Sequence, residues 1–298
     1  MWLHWISPFV AGWMTAFALR LWIKKARQIG LVGKDIHKIN HPLIPESGGI
    51  PVVFGFFVGT SLLPFDHLFY SVLICSFAGI VDDFLGWKKG LAAPFRIFIV
   101  FLGWFPFIIN FDLPLLPSVI IGLIVSCQTL SFNFLAGYNG LESGQGIIIL
   151  TGLSIIFLIS GHQELLVIAC LGIVPLSIFL GFNWYPARIF PGDSLTYFSG
   201  ALIAGLLVLG ELWLESIFIL GLYGTEVILK LRGRLKKESF AKINEDGFLD
   251  VPYSKIYGIE HAIIRWLKNP REPQVVIAIW SIQIFLCLAG ILFFVFKN

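Results

Sequence analysis

The chain has 298 residues, of which 57% are hydrophobic and 13% are charged, and its formal net charge is +3. Soluble globular proteins contain roughly 45–50% apolar and about 25% charged residues. This composition excludes a disordered chain, a nucleic-acid-binding domain and an ordinary cytosolic enzyme. It predicts an integral membrane protein with many spans.

Ten apolar runs approach the length of about 20 residues that a helix needs to cross the hydrocarbon layer. They are residues 2–23, 48–65, 69–86, 92–111, 114–133, 145–161, 164–182, 195–210, 212–230 and 274–296. The first run is not preceded by Lys or Arg, so we interpret it as a membrane helix rather than a signal peptide. The sequence thus predicts an all-α polytopic membrane protein of one domain, residues 1–298, with about ten transmembrane helices and cytosolic catalytic loops.

The positive charges lie on one side of these predicted spans. Nearly all Lys and Arg residues fall in or beside the odd-numbered connections, which are residues 24–47, 87–91, 134–144, 183–194 and 231–273. Among the basic residues only Lys297 falls on the other side. By the positive-inside rule, we expect the odd connections to be cytoplasmic and both termini to lie outside.

The longest polar segment is the connection 231–273. Between Ile256 and Leu267 its apolar residues recur at helical spacing, with Arg265 and Lys268 beside them. This pattern predicts an amphipathic helix that lies along the membrane surface.

Two adjacent carboxylates, Asp82 and Asp83, stand at the cytoplasmic end of the third run. Acids at membrane depth are costly unless something pairs with them, so a divalent cation or a cationic partner is expected nearby. The alternative is a helix end with solvated acids. The helix dipole argues against that alternative, because it disfavours negative charge at a helix C-terminus.

Three further cytoplasmic connections carry unusual residues. Gly48 and Gly49 precede a predicted helix, where backbone amides could approach an anion or simply form a turn. Residues 133–145 combine Asn-Gly with repeated glycines, which indicates a tight, exposed backbone, and their amide side chains could bind a hard metal or the edge of a base. Asp193 stands where the next span begins.

A basic cluster, Arg232 and Arg234 with Lys236 and Lys237, follows the ninth run. Such a cluster either orients the protein on anionic lipid or binds phosphate oxygens. Oxygen ligands suit Mg²⁺, which typically takes one or two carboxylates together with substrate phosphates. The residues therefore predict metal-assisted transfer involving phosphate at the boundary between cytosol and membrane.

Six segments resemble the polyprenyl-phosphate N-acetylhexosamine-1-phosphate transferases, and most closely the eukaryotic and archaeal enzymes that use UDP-GlcNAc and dolichyl phosphate. They are KDIHK at 34–38, IPESGG at 44–49, GIVDD at 79–83, NFLAGYNGLESGQ at 133–145, NWYPARIFPGDS at 183–194 and RGR at 232–234. They occur in the order typical of the family and cover most of the chain. The segments at 133–145 and 183–194 are the specific ones.

The resemblance implies a role for each matching residue. The implied Mg²⁺ ligands, with Mn²⁺ as an alternative ion, are Asn133 and Asp193. The implied uridine contacts are Glu46, the Gly137 backbone and Asn139. The implied catalytic residues are the acidic pair Asp82 and Asp83 and the phosphate-binding Lys89, for which Lys88 is an alternative. The other implied substrate-binding residues are Lys34, Arg232 and Arg234. Gly233 stands where the animal enzymes have His, which leaves the identity of the sugar open.

The implied reaction moves GlcNAc-1-phosphate from UDP-GlcNAc to a polyprenyl (dolichyl) phosphate and releases UMP. The expected partners are these two substrates and membrane lipid, with a homodimer as one option for the assembly and no nucleic acid. The expected location is the cell membrane of an archaeon or the endoplasmic reticulum membrane of a eukaryote. Two alternatives stay open at this point: a bacterial-type undecaprenyl-phosphate HexNAc-1-phosphate transferase, and a membrane transporter of anionic solutes.

The expected mechanism follows from charge. An alkyl phosphate has a second pKa of around 6, so the acceptor is largely ionised near neutral pH and needs little general-base help. The obstacle is its repulsion from the diphosphate of the UDP-sugar, which a metal ion and cationic side chains would relieve. Asp82 or Asp83 is expected to order the acceptor phosphate or to remove its last proton.

Overall fold

The computed structural model describes residues 2–64, 67–86 and 90–297, and helices make up most of this part of the chain. The α-helices in chain order are α1 (Ser7–Ile29), α2 (Gly49–Thr60), α3 (His67–Leu85), α4 (Ala93–Gly103), α5 (Phe105–Ile108), α6 (Leu115–Ser131), α7 (Leu141–Ser160), α8 (Gln163–Asn183), α9 (Gly192–Leu209), α10 (Glu215–Ile219), α11 (Gly221–Arg232), α12 (Ile259–Leu267) and α13 (Glu272–Lys297). Short 3₁₀ helices occur at Trp2–Ile6 and Ile109–Phe111.

Seven helical segments within the described residues are long and apolar enough to cross a membrane. They are His4–Ile29, His67–Leu85, Ala93–Phe111, Leu141–Ser160, Gln163–Asn183, Gly192–Leu209 and Glu272–Lys297. The chain is therefore a mostly helical, polytopic integral membrane protein, as its composition predicts.

The expected number of about ten spans is not confirmed. The second and fifth apolar runs form α2, with 12 residues, and α6, with 17 residues, and both are shorter than a full span. The ninth run forms two helices, α10 and α11, which are separated at Leu220. Hydropathy finds an apolar stretch, but backbone hydrogen bonding decides where a helix begins and ends, so the two lengths differ.

Helix α9 lies at the centre of the bundle, where every residue from Ser194 to Val208 is buried. It packs against α2, α3, α6 and α7. Gly79 on α3 touches the first turn of α9, because a Cβ at Gly79 would overlap the carbonyl oxygen of Asp193. Small residues let membrane helices approach this closely, and the approach sets the end of α3 beside the start of α9.

Two short antiparallel hairpins lie in the polar connections. Strand β1 (Val32–Lys34) pairs with β2 (Leu43–Pro45), and β3 (Lys242–Ile243) pairs with β4 (Leu249–Asp250). In each hairpin the two strands pair backbone N–H and C=O groups that no helix satisfies in that connection.

The segment expected to form an amphipathic helix contains α12. Its buried face includes Glu260 and His261, and Trp266 is exposed on the other side. Burial lowers the pKa of His261 to about 4, so this side chain stays neutral inside the protein. The position of α12 along the membrane surface stays a prediction.

Candidate active site

The first contact of the site joins the end of α3 to the start of α9. The Asp83 carboxylate accepts hydrogen bonds from the backbone N–H of Asp193 at 2.6 Å, the hydroxyl of Ser194 at 2.7 Å and the backbone N–H of Ser194 at 3.3 Å. These N–H groups have no partner within their own helix, so a carboxylate satisfies them well and also complements the helix dipole. Asp83 therefore holds the first turn of α9 in place.

Asp193 faces two further side chains. Asn133, just beyond the end of α6, donates from Nδ2 to Asp193 Oδ1 at 3.1 Å. The second contact comes from Arg96 in the first turn of α4, whose Nη1 lies 3.8 Å from Asp193 Oδ2 and 3.3 Å from Asp82 Oδ2. We call these five residues, Asp82, Asp83, Arg96, Asn133 and Asp193, the acid cluster.

Arg96 is the member of the acid cluster that sequence reasoning missed. Its position near the start of a span identified it only as one of the charges that orient the protein. Its Nε and Nη2 atoms also donate to the Leu91 carbonyl oxygen, at 3.2 and 3.0 Å. The guanidinium is thus oriented towards Asp82 by a backbone contact that no local pattern reveals.

The acid cluster fits a hard divalent cation. The donors that Asn133 and Asp193 can offer are an amide oxygen and a carboxylate, which are ligands that Mg²⁺ accepts. The Asp193 side chain is 26% exposed, so it can be reached from outside the protein. Asp83 already accepts three hydrogen bonds, and Asp82 accepts one from the Leu91 N–H and pairs with Arg96 at 3.3 Å. Arg96 is farther from Asp193, at 3.8 Å, so Asp193 and its neighbour Asn133 are the more available ligands.

A second polar cluster joins four connections at the same end of the bundle. The backbone N–H of Asn139 donates to Glu272 Oε1 at 2.7 Å, and its side-chain Nδ2 donates to Asp35 Oδ2 at 3.1 Å. Lys38 bridges the two acids, with Nζ 3.3 Å from Asp35 Oδ2 and a hydrogen bond to Glu272, and it lies 4.0 Å above the Tyr185 ring. We call Asp35, Lys38, Asn139 and Glu272 the loop clamp.

The loop clamp also has a geometry that a metal could use. Ligand atoms of Asp35, His37 and Glu272 lie within 4.8 Å of one another, and all three side chains are buried. His37 stacks on Tyr138 with ring centroids 4.4 Å apart. Lys38 contacts both carboxylates and offsets one of their two negative charges without a metal ion.

Two backbone donors of the glycine-rich loop before α7 are already paired. Gly137 N–H donates to Glu142 Oε1 at 2.8 Å, and Gly140 N–H donates to Asn183 Oδ1 at 3.0 Å. Both glycines have positive φ, at 104° and 87°, a conformation that other residues rarely adopt. Together with the N–H of Asn139, which donates to Glu272, these two N–H groups are not available to a ligand.

The remaining predicted residues lie apart from these two clusters. The Glu46 carboxylate packs against Gly33, since a Cβ there would overlap its Oε1, and burial raises the pKa of Glu46. Lys34, Arg232 and Arg234 are exposed, and within the described part of the chain none of the three forms an ion pair. Lys89, with its alternative Lys88, lies outside the described residues.

The structure thus brings together five of the predicted residues in two groups: Asp82, Asp83, Asn133 and Asp193 in the acid cluster, and Asn139 in the loop clamp. Sequence reasoning missed Arg96, Asp35, Lys38 and Glu272. The KDIHK motif contained Asp35 and Lys38, and it could have pointed to them. Nothing local marked Glu272, which meets Asn139 across 133 positions of sequence.

The chain is similar in sequence to known proteins over most of its length. Residues 67–211 match the sequence profile of glycosyl transferase family 4, and this segment contains all five predicted residues just named. A protein of Saccharolobus solfataricus is 34% identical over 96% of this chain and 96% of its own length. It carries the provisional name UDP-N-acetylglucosamine–dolichyl-phosphate N-acetylglucosaminephosphotransferase.

Two more distant relatives come from a eukaryote and a bacterium. The UDP-N-acetylglucosamine–dolichyl-phosphate N-acetylglucosaminephosphotransferase of Dictyostelium discoideum is 27% identical, over 67% of this chain and 65% of its own. The phospho-N-acetylmuramoyl-pentapeptide-transferase of Prochlorococcus marinus is 28% identical, over 74% of this chain and 59% of its own. The near full-length similarity to the archaeal relative shows that the chain belongs to glycosyl transferase family 4, among the polyprenyl-phosphate N-acetylhexosamine-1-phosphate transferases.

Proposed function

We propose that this protein transfers GlcNAc-1-phosphate from UDP-GlcNAc to dolichyl phosphate, giving dolichyl-diphosphate-GlcNAc and UMP. The observation that carries the proposal is the pairing of Asn133 with Asp193, which Asp83 holds at the start of α9. The names of the archaeal and eukaryotic relatives support these substrates. The bacterial relative matches over less of its own length, so an undecaprenyl-phosphate enzyme is the less favoured alternative.

In this reaction a phosphate oxygen of the acceptor attacks the β-phosphorus of UDP-GlcNAc. A new phosphorus–oxygen bond forms there, and the bond from the β-phosphorus to the oxygen bridging the two phosphates breaks, so UMP leaves with that oxygen. Because the acceptor phosphate is largely ionised near neutral pH, no strong base is needed to activate it.

Asn133 and Asp193 would hold Mg²⁺, or Mn²⁺ in its place. When bound, the ion would offset the negative charge of the diphosphate and of the transferring group. The proposal rests on the oxygen donors of these two side chains and on the access to Asp193 from outside the protein.

Asp83 acts in this proposal as a positioning residue, because three hydrogen bonds direct its carboxylate at the first turn of α9. Asp82 has the corresponding role towards Arg96, with which it pairs at 3.3 Å. Neither carboxylate is free to take a proton without losing these contacts. The acidic pair therefore orders the site, and the ionised acceptor supplies its own nucleophilic oxygen.

The nucleotide would lie over the glycine-rich loop. Asn139 would read the uracil edge through its Oδ1 atom, with the Gly137 carbonyl and Glu46 as further contacts. Lys34, Lys89, Arg232 and Arg234 would take the charges of the diphosphate and the sugar phosphate. Arg side chains suit this role because a guanidinium binds phosphate oxygens in a bidentate fork.

We also propose ten crossings, with both clusters on the cytoplasmic face and both termini outside. The seven long segments would be joined by α2, by α6 and by the pair α10 and α11, which makes ten. The Lys and Arg asymmetry supports this orientation.

Purified protein with dolichyl phosphate, UDP-GlcNAc and Mg²⁺ should release UMP, and a chelator should stop the release. UDP-GalNAc and undecaprenyl phosphate, each substituted separately, test the sugar and the lipid. Faster turnover with undecaprenyl phosphate or UDP-GalNAc would replace the proposed substrate, and no UMP release with any pair would refute transfer.

A further inference from the structure

We propose that Asp35 determines the base specificity of this enzyme by fixing which way the Asn139 amide points. This inference rests on the proposed function, in which Asn139 contacts the uracil of UDP-GlcNAc. It adds a positioning residue that touches neither the sugar nor the phosphates.

The hydrogen bond between Asn139 and Asp35 allows only one orientation of the Asn139 amide. A carboxylate accepts hydrogen bonds and donates none, so the nitrogen of the Asn139 amide must face Asp35. The structure has this arrangement, with Nδ2 at 3.1 Å from Asp35 Oδ2. Lys38 also forms an ion pair with that oxygen, and the backbone N–H of His37 donates to the other at 3.3 Å.

The backbone around Asn139 is held independently of Asp35. Glu272 accepts the backbone N–H of Asn139, and Asn183 accepts that of Gly140. The freedom that Asp35 removes is therefore the rotation of the amide, whose two orientations are otherwise close in energy. With Nδ2 turned to Asp35, Oδ1 is the atom left for a ligand.

An acceptor oxygen at this place distinguishes the two pyrimidines. Uracil presents a donor at N3–H, which pairs with Oδ1. Cytosine presents an acceptor at N3, so Oδ1 would face another lone pair and both groups would lose a hydrogen bond. Sites that hydrogen-bond a particular substrate group reject analogues that lack it. Asp35 therefore favours uridine nucleotides over cytidine nucleotides.

The test compares UDP with CDP as probes. Binding of each to the full-length, detergent-purified protein is measured by calorimetry in the presence of Mg²⁺. The wild-type protein should prefer UDP. Asp35→Asn presents both a donor and an acceptor to Asn139, so the amide can take either orientation, and the preference for UDP should fall by about tenfold, the effect of about one hydrogen bond.

Two variants separate orientation from a general structural effect. Glu272 lies in the same loop clamp, but it does not contact Nδ2 of Asn139. Glu272→Gln also removes one negative charge, and it should weaken the binding of UDP and of CDP by similar factors. The double variant Asp35→Asn with Asn139→Asp exchanges the two groups. The new amide at position 35 would donate to the new carboxylate at position 139, whose other oxygen faces the base. This double variant should regain most of the preference for UDP. It therefore tests the inference even if Asp35→Asn alone folds poorly.

An unchanged ratio of UDP to CDP affinity in Asp35→Asn would overturn the inference, and so would a double variant without a preference for UDP. A wild-type protein that binds both nucleotides equally would also overturn it, while leaving transfer intact. Failure of the proposed function is a separate result: no UMP release by wild-type protein that binds UDP and folds normally.

Discussion

Asp83 accepts a hydrogen bond from the backbone N–H of Asp193, 110 positions later in the chain, at 2.6 Å. This contact joins the last turn of α3 to the first turn of α9, and Gly79 permits it by letting the two helices approach. The predicted acidic pair and the predicted metal ligand thus belong to one structural unit. Its consequences can be tested residue by residue.

Asp193→Asn should lose most transfer activity while the protein still inserts and folds. The side chain is partly exposed, so its replacement leaves no cavity, but it removes a negative ligand from the metal ion. Loss of one charge-stabilising contact commonly costs about 10²–10³ in rate. UMP release is measured at saturating Mg²⁺ with Asp250→Asn, an exposed acid outside both clusters, as the control. Activity within about threefold of the wild type would contradict the metal assignment.

Asp83→Asn should lower kcat by about tenfold without changing the shape of the pH–rate profile. The variant keeps one acceptor oxygen but replaces the other with a donor, so one contact to α9 is weakened. Ser194→Ala removes one of the same contacts and should act in the same direction, less strongly. If Asp83 were instead the general base, its replacement would remove a limb of the pH profile, and that result would refute the positioning role.

Gly79→Ala should separate α3 from α9 and lower both stability and activity. The added methyl group would overlap the Asp193 carbonyl, and overpacking of this kind costs about 1–3 kcal/mol. Thermal unfolding in detergent and UMP release measure the two effects. Gly181→Ala on α8 is the matched control, because its Cβ would meet no atom within 4 Å. Equal behaviour of the two variants would show that the helices do not depend on this contact.

Arg234→Lys should weaken transfer, and Arg234→Ala should weaken it more. Arg234 is exposed, and its backbone has a φ of 54°, an uncommon conformation that is typical of functional segments. Lysine keeps the charge but loses the bidentate fork that a guanidinium offers to a diphosphate. Both effects should appear in kcat/KM for the UDP-sugar. Wild-type kinetics of the lysine variant would assign Arg234 to membrane orientation instead.

Lys34, Arg188 and Arg234 should all face the cytoplasm. Each is exposed, so single cysteines at these positions, in a background without the four native cysteines, can react with an impermeant thiol reagent. They should react only after the membrane is opened, whereas a cysteine at Glu164 should react in intact cells. Labelling of Arg188→Cys from outside would invert or disrupt the proposed topology.

The class of this protein was predictable from the sequence. Apolar runs and charge asymmetry are properties of consecutive residues, and they identify a helical membrane protein without any knowledge of packing. Asp82, Asp83 and Asp193 stand out as acids beside predicted spans. The role of Asn133 and Asp193 as metal ligands came from the resemblance of their motifs to a known family, and it stays a prediction. Their proximity in space was implied only by the expectation that all cytoplasmic connections share one face.

The tertiary structure decided which groups these residues meet. Arg96 pairs with Asp82 and Asp193 because α4 begins beside the end of α3, and Glu272 meets Asn139 because α13 begins beside the glycine-rich loop. Hydropathy likewise did not predict that one apolar run forms two helices, α10 and α11. Such contacts depend on how whole helices pack, so no local pattern encodes them. A sequence motif identifies which chemical groups are present, and the packing of distant helices determines where those groups point.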